Sequence, residues 1–231
     1  MSTGTFAADA ERIGALADPV RLALYRFVGT QPEPVSRDQA AEAVGIPRHQ
    51  ARFHLERLEA DGLLVGSRAR LNGLTGPGAG RPAKLYRRAA REIAVTLPDR
   101  EYELAGRLLS DAVAESARTG GPVLDAVNRT FADYGAAAGR AASADAGTAA
   151  DPLDAAAQAL ARHGYEPRRD GDRVDLHNCP FHALAQAQTE LICTANQCLV
   201  AGLVNALAPD RLTAKLEPDP RRCCVVLEKR T

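Results

Sequence analysis

A very short turn, Gly45-Ile46, separates two short helical patterns and leaves few folds open to the chain that carries it. Ser36 is placed to cap the first pattern, Arg37–Val44, because its hydroxyl can accept from an early backbone N–H that has no partner inside the helix. Gly45 stops that helix, and Pro47 opens the next, where a fixed φ and a missing N–H do no harm. The second pattern runs to Asp61, and Gly62 ends it. Two helices joined this tightly form a helix-turn-helix, in which the second helix enters the DNA major groove.

The flanking sequence agrees with that geometry. Ala8 to Gly29 reads as a helix that breaks and restarts at Ala17-Asp18-Pro19, with Asp18 as cap and Leu16, Val20, Leu22, Leu24 and Phe27 as apolar positions. Within 47–61 the faces separate. Ala51, Leu55 and Leu58 form an inward seam, while Arg48, His49 and Arg52 lie opposite, near the helix N-terminus. Leu63-Leu64-Val65 reads as a strand, Asn72 to Pro82 as a loop rich in Gly and Pro, and Lys84-Leu85-Tyr86-Arg87 as a returning strand. A hairpin after the recognition helix is a wing, and Arg81 at its tip can reach a minor groove or phosphates.

The DNA-facing set is therefore Arg48, His49, Gln50 and Arg52 on the helix, with Arg81 and Lys84 on the hairpin. Net charge over the whole chain is zero, but Pro47 to Arg91 carries ten Arg or Lys against Glu56, Glu59 and Asp61. A local positive field of that size suits phosphate contacts. For each arginine the alternatives are guanine recognition, a phosphate clamp, or plain solvated charge.

Three stretches, Leu16-Ala17-Asp18-Pro19-Val20-Arg21, Phe53-His54-Leu55-Glu56-Arg57-Leu58-Glu59-Ala60-Asp61-Gly62-Leu63 and Gly80-Arg81-Pro82-Ala83-Lys84-Leu85-Tyr86, occur in order over about 75 residues. Together they resemble the ArsR-like winged-helix repressors. The resemblance implies a homodimer bound to double-stranded DNA at a palindromic operator.

Beyond the wing, Asp99 to Arg118 is predicted as one helix, with apolar positions at Tyr102, Leu104, Leu108, Leu109, Val113 and Ala117. It serves either to join two subunits or to pack within one. Gly120-Gly121-Pro122 interrupts it, and Val123 to Tyr134 reads as helical. Gly135 to Asp151 is a tract of Ala, Gly, Ser and Asp, read as a connector because it lacks large apolar side chains. The expected organisation is α+β: a winged helix-turn-helix over 1–92, a dimerisation helix and connector over 93–150, and a small α+β sensor domain over 151–231.

All five cysteines fall in that last region, at 179, 193, 198, 223 and 224. The N-terminus has no basic run followed by an apolar core, and no run approaches about 18 uninterrupted apolar residues, so a cytoplasmic protein without a membrane span is expected. In a reducing compartment such cysteines read as metal-binding or redox-active. Leu153–His163 reads as a helix, and Tyr165–Arg168 and Arg173–His177 as a hairpin turning at Asp170-Gly171. Asn178 is expected to cap a helix with Cys179 in its first turn, where the terminal field favours thiolate. A longer helix over 189–206 holds Cys193 and, in its apolar middle, Cys198. Strands at 212–216 and 223–227 complete the domain, and alternation along the last one turns Cys223 and Cys224 to opposite sides.

Asn178-Cys179-Pro180-Phe181, Glu190-Leu191-Ile192-Cys193 and a cysteine in the final strand are similar to the sensor region of SufR-type iron–sulfur repressors. The resemblance implies Cys179, Cys193 and Cys223 as ligands of an iron–sulfur cluster, 4Fe-4S or 2Fe-2S. Cys224 is the alternative third ligand and His182 the candidate fourth, with His177 behind it. Read from the residues alone, the same thiols suit zinc, a reversible disulfide, or a structural role without cofactor. No nucleotide-binding glycine loop is present, since Gly76-Pro77-Gly78-Ala79-Gly80 lacks the P-loop lysine and hydroxyl, so a regulator rather than an enzyme is expected.

Overall fold

The structure, a computed structural model, describes residues 3–69, 82–145 and 151–230. It divides into two compact units, Ser2–Val95 and Thr96–Thr231.

The N-terminal unit opens with α1 (Thr3–Ala15) and α2 (Pro19–Thr30), divided where the sequence predicts. Asp18 caps α2 through its carboxylate, which accepts from the N–H groups of Val20 and Arg21 at 2.9 Å. A two-residue strand β1 (Val35–Ser36) leads into α3 (Arg37–Val44), where Ser36 and Gln39 form a reciprocal capping box. Gly45 ends α3 in the left-handed conformation at φ 72°, which any side chain with a Cβ resists. Then α4 (Arg48–Ala60) buries Ala51, Leu55 and Leu58, the expected seam, against a core that includes Leu24, Val28, Ala40 and Tyr86. Strands β2 (Leu64–Ala69) and β3 (Ala83–Arg88) pair antiparallel from Leu64↔Arg88 to Ala69↔Ala83, and β1 joins the far edge of β3. This is the wing, on a three-stranded sheet of order β1-β3-β2. Its tip, with Arg81, lies outside the described residues.

The C-terminal unit corrects two expectations. The region 93–150 does not stand apart as a segment of its own, because its helices belong to the C-terminal core. Helix α5 (Tyr102–Thr119) turns Leu104, Ala105, Leu108 and Ala112 inward, so that face is used within the chain. Helix α6 (Val123–Asp145) runs straight through most of the small-residue tract. The tract is helical because smallness is what its packing demands. A Cβ on Gly135 or Gly139 would overlap the backbone carbonyls of Leu199 and Leu203, and one on Gly202 would overlap that of Ala132. Two helices touch there backbone to backbone, with alanines (a strong helix former) filling the positions between.

The partner of α6 is α9 (Thr189–Leu207), whose Ile192, Ala195, Leu199, Val200, Leu203 and Val204 are buried. By length and composition α9 is apolar enough to cross a bilayer; here it is the central helix of this core. Helix α7 (Pro152–Ala161) precedes the hairpin of β4 (Pro167–Asp170) and β5 (Arg173–Leu176), which turns at Gly171. A short α8 (His182–Ala187), then β6 (Leu212–Leu216) and β7 (Val225–Lys229), complete an antiparallel sheet of order β4-β5-β7-β6.

Candidate nucleic-acid interface and thiol site

The exposed face of α4 carries Arg48, His49, Gln50 and Arg52 outward, with the two arginine side chains 77% and 60% exposed. Neither guanidinium floats free. Arg48 Nε lies 3.5 Å from Asp38, and Arg52 Nε donates to Glu56 at 2.9 Å. Between α3, α4 and the wing strands is a cleft of about 460 Å³, whose lining includes Arg37, Arg52, Glu56, Arg68 and Lys84. Lys84 lies in β3 opposite Arg68. It is hydrogen-bonded to Glu59, which raises its pKa, and its ammonium lies 5.3 Å from the Tyr86 ring centre.

Sequence reasoning missed Phe53. It follows Arg52 on α4, is 66% exposed, and meets the His54 ring edge-on at 5.3 Å. A large apolar ring held in solvent beside the recognition arginines suits contact with a thymine methyl. The signal was available: 53 falls off the 51–55–58 seam.

The Helix-turn-helix domain family matches residues 16–66. The N-terminal unit is a helix-turn-helix DNA-binding domain. Neither a curated protein nor a solved structure matches the chain. The helix-turn-helix domain makes this chain a DNA-binding transcriptional regulator.

The cysteines meet in the C-terminal unit, and not quite as predicted. Cys179 precedes α8 instead of lying in it: the helix begins at His182, whose N–H donates to the Cys179 carbonyl at 3.1 Å. The turn is fixed by Asn178, buried to 7% exposure, which donates to the carbonyls of Asp99 at 2.9 Å and Gly164 at 2.6 Å. Arg100 donates to the Asn178 side chain, and the Glu101 N–H donates to the Pro180 carbonyl at 3.1 Å.

Cys223 and Cys224 do not belong to the last strand, which begins at Val225. They lie in a bend, pinned by the Cys223 N–H donating to the Leu176 carbonyl and by Arg222 donating to the Cys223 carbonyl at 3.0 Å. Strand alternation therefore does not separate the two. Cys223 lies beside both Cys179 and Cys224, and Cys224 beside Cys193, close enough for each thiol to shift its neighbour's pKa. Cys193 joins from the second turn of α9. His182, the expected fourth ligand, is exposed on α8, while Cys224 lies beside Cys223 and Cys193. Cys198, further along α9, is half-buried against the core, and burial raises its pKa.

The contacts split the thiols electrostatically. Interaction with Cys223 lowers the Cys224 thiol to about 6, and interaction with the same residue lowers Cys179. Hydrogen bonding to Cys179 pushes Cys223 up, and burial pushes Cys193 up to about 12. Among the described residues, no group of three or more His, Cys, Asp or Glu side chains is already set to hold a single metal ion.

Proposed function

We propose that this regulator is a repressor whose operator binding is governed by an iron–sulfur cluster held by Cys179, Cys193, Cys223 and Cys224. The supporting observation is that four thiols from three segments lie beside one another in the order Cys179, Cys223, Cys224 and Cys193, with Cys223 inside the core and Cys179 and Cys224 packed against it. The donor set fits such a group. It is all sulfur, the commonest ligand type for iron–sulfur clusters, and the three segments that supply it are separated in sequence. When bound, the cluster would supply reversible electron uptake and iron–thiolate bonds that oxidation or iron shortage can break. Asn178 with Arg100 holds the Cys179 turn, and Arg222 holds the bend of the vicinal pair.

On the DNA side, Arg48, His49, Gln50 and Arg52 face the major groove, Phe53 offers apolar contact, and Lys84 and Arg81 serve the wing. The outer apolar side chains Val113, Val123 and Leu124 supply a face for a second copy, as a palindromic operator requires. Protein purified without oxygen should be brown and contain iron and acid-labile sulfide. A colourless, iron-free preparation that still binds its DNA fully would overturn the cluster reading. A thiol switch is the second reading, favoured by the low pKa of Cys224 and its contact with both Cys223 and Cys193. Thiol titration before and after mild oxidation, with metal analysis, separates the two.

A further inference from the structure

Two asparagines are buried among the described residues of the C-terminal unit, and both sit against cysteines. Asn178 is accounted for by the turn it fixes. Asn196 is different. It lies one turn beyond Cys193 on α9, is 1% exposed, and donates Nδ2–H to Cys223 Sγ at 3.3 Å. Its Oδ1 accepts from the hydroxyl of Tyr165, a side chain 4% exposed. An amide and a phenol placed this deep cost stability unless satisfied, and apolar side chains of similar shape would fill the same space.

Their arrangement has a direction. The Tyr165 O–H donates to Oδ1, which turns the Asn196 amide so that its N–H group faces the sulfur. Cys223 Sγ thus meets a fixed amide donor.

We propose that Asn196, oriented by Tyr165, is a positioning residue for the Cys223 ligand of the cluster. Its N–H holds the sulfur in one place and stabilises negative charge on it. Cys223 is thereby the permanent member of the vicinal pair, and the reduced cluster, which carries more charge on its ligands, is favoured. The inference rests on the iron–sulfur reading above.

The test uses the full chain in three forms, wild type, Asn196→Leu and Tyr165→Phe, each reconstituted anaerobically with ferrous iron and sulfide. The readouts are iron and sulfide content, midpoint potential by dye-mediated redox titration, and the rate at which EDTA bleaches the visible spectrum. The expected result is comparable initial loading, a potential shifted negative in both variants and further in Asn196→Leu, and cluster release roughly 10–100-fold faster in Asn196→Leu. A residue that merely filled space would not shift the potential in this graded order. If Asn196→Leu fails to fold, Tyr165→Phe, which loses one hydroxyl, decides alone. Unchanged potential and release rate in the variants overturn the inference and leave the cluster reading intact. A wild-type protein that retains no iron and sulfide sinks both together.

Discussion

Arg52 and Glu56 are one helical turn apart and already paired, so the arginine proposed to reach for DNA starts out occupied. An exposed pair of this kind is weak and screened by salt, which makes Glu56 a cheap brake on the recognition helix. Arg52→Ala should weaken binding to operator DNA by about tenfold with an unchanged circular dichroism spectrum. Glu56→Gln, which releases the guanidinium, should instead tighten it. Fluorescence anisotropy across a salt series checks both, and the slope should fall by about one if Arg52 meets phosphate. His163 gives a pH prediction. Burial lowers its pKa below 6.5, while the unfolded chain keeps the ordinary value, so the folded state binds fewer protons. Its contribution is full above pH 6.5 and is lost as pH falls below it. His163→Gln should flatten the acid limb of the urea midpoint plotted against pH. An identical limb in the variant would reject this assignment.

At the level of elements, what the sequence made legible was punctuation. Asp18-Pro19, Ser36 and Gly45 each act through a local backbone requirement that tertiary packing has no reason to override, and each behaves as read. Ser36→Ala should therefore cost the N-terminal unit about 1 kcal/mol in chemical denaturation. Two elements were not legible. Gly135 to Asp145 looked like a connector because core-building was equated with large side chains, yet Gly135, Gly139 and Gly202 build a core by having none. Gly139→Leu should destabilise the C-terminal unit by about 1–3 kcal/mol or more, read as a drop in melting temperature. The Cys223–Cys224 bend was hidden for a different reason. Val225, Val226 and Leu227 extend the β pattern smoothly backward, and nothing local marks where the ladder with β6 stops. The cysteine set was readable as residues, but their meeting depends on that one bend.

For the whole molecule, the division at residues 95 and 96 gives each half its own core, one built on the α4 seam and one on α9. Reader and sensor can thus be damaged separately. Cys179→Ser and Cys193→Ser should each abolish iron retention, while DNA binding persists but no longer responds to oxygen or iron supply. Gel-shift titrations with and without oxygen test this, and a variant that keeps both its iron and its response would reject the ligand set. The bonds around Asn178 carry this further. The Asn178 amide ties the turn that bears Cys179 to two stretches of backbone at once, those at Asp99 and Gly164. Losing that one side chain would cast off both moorings of the sulfur-bearing turn together.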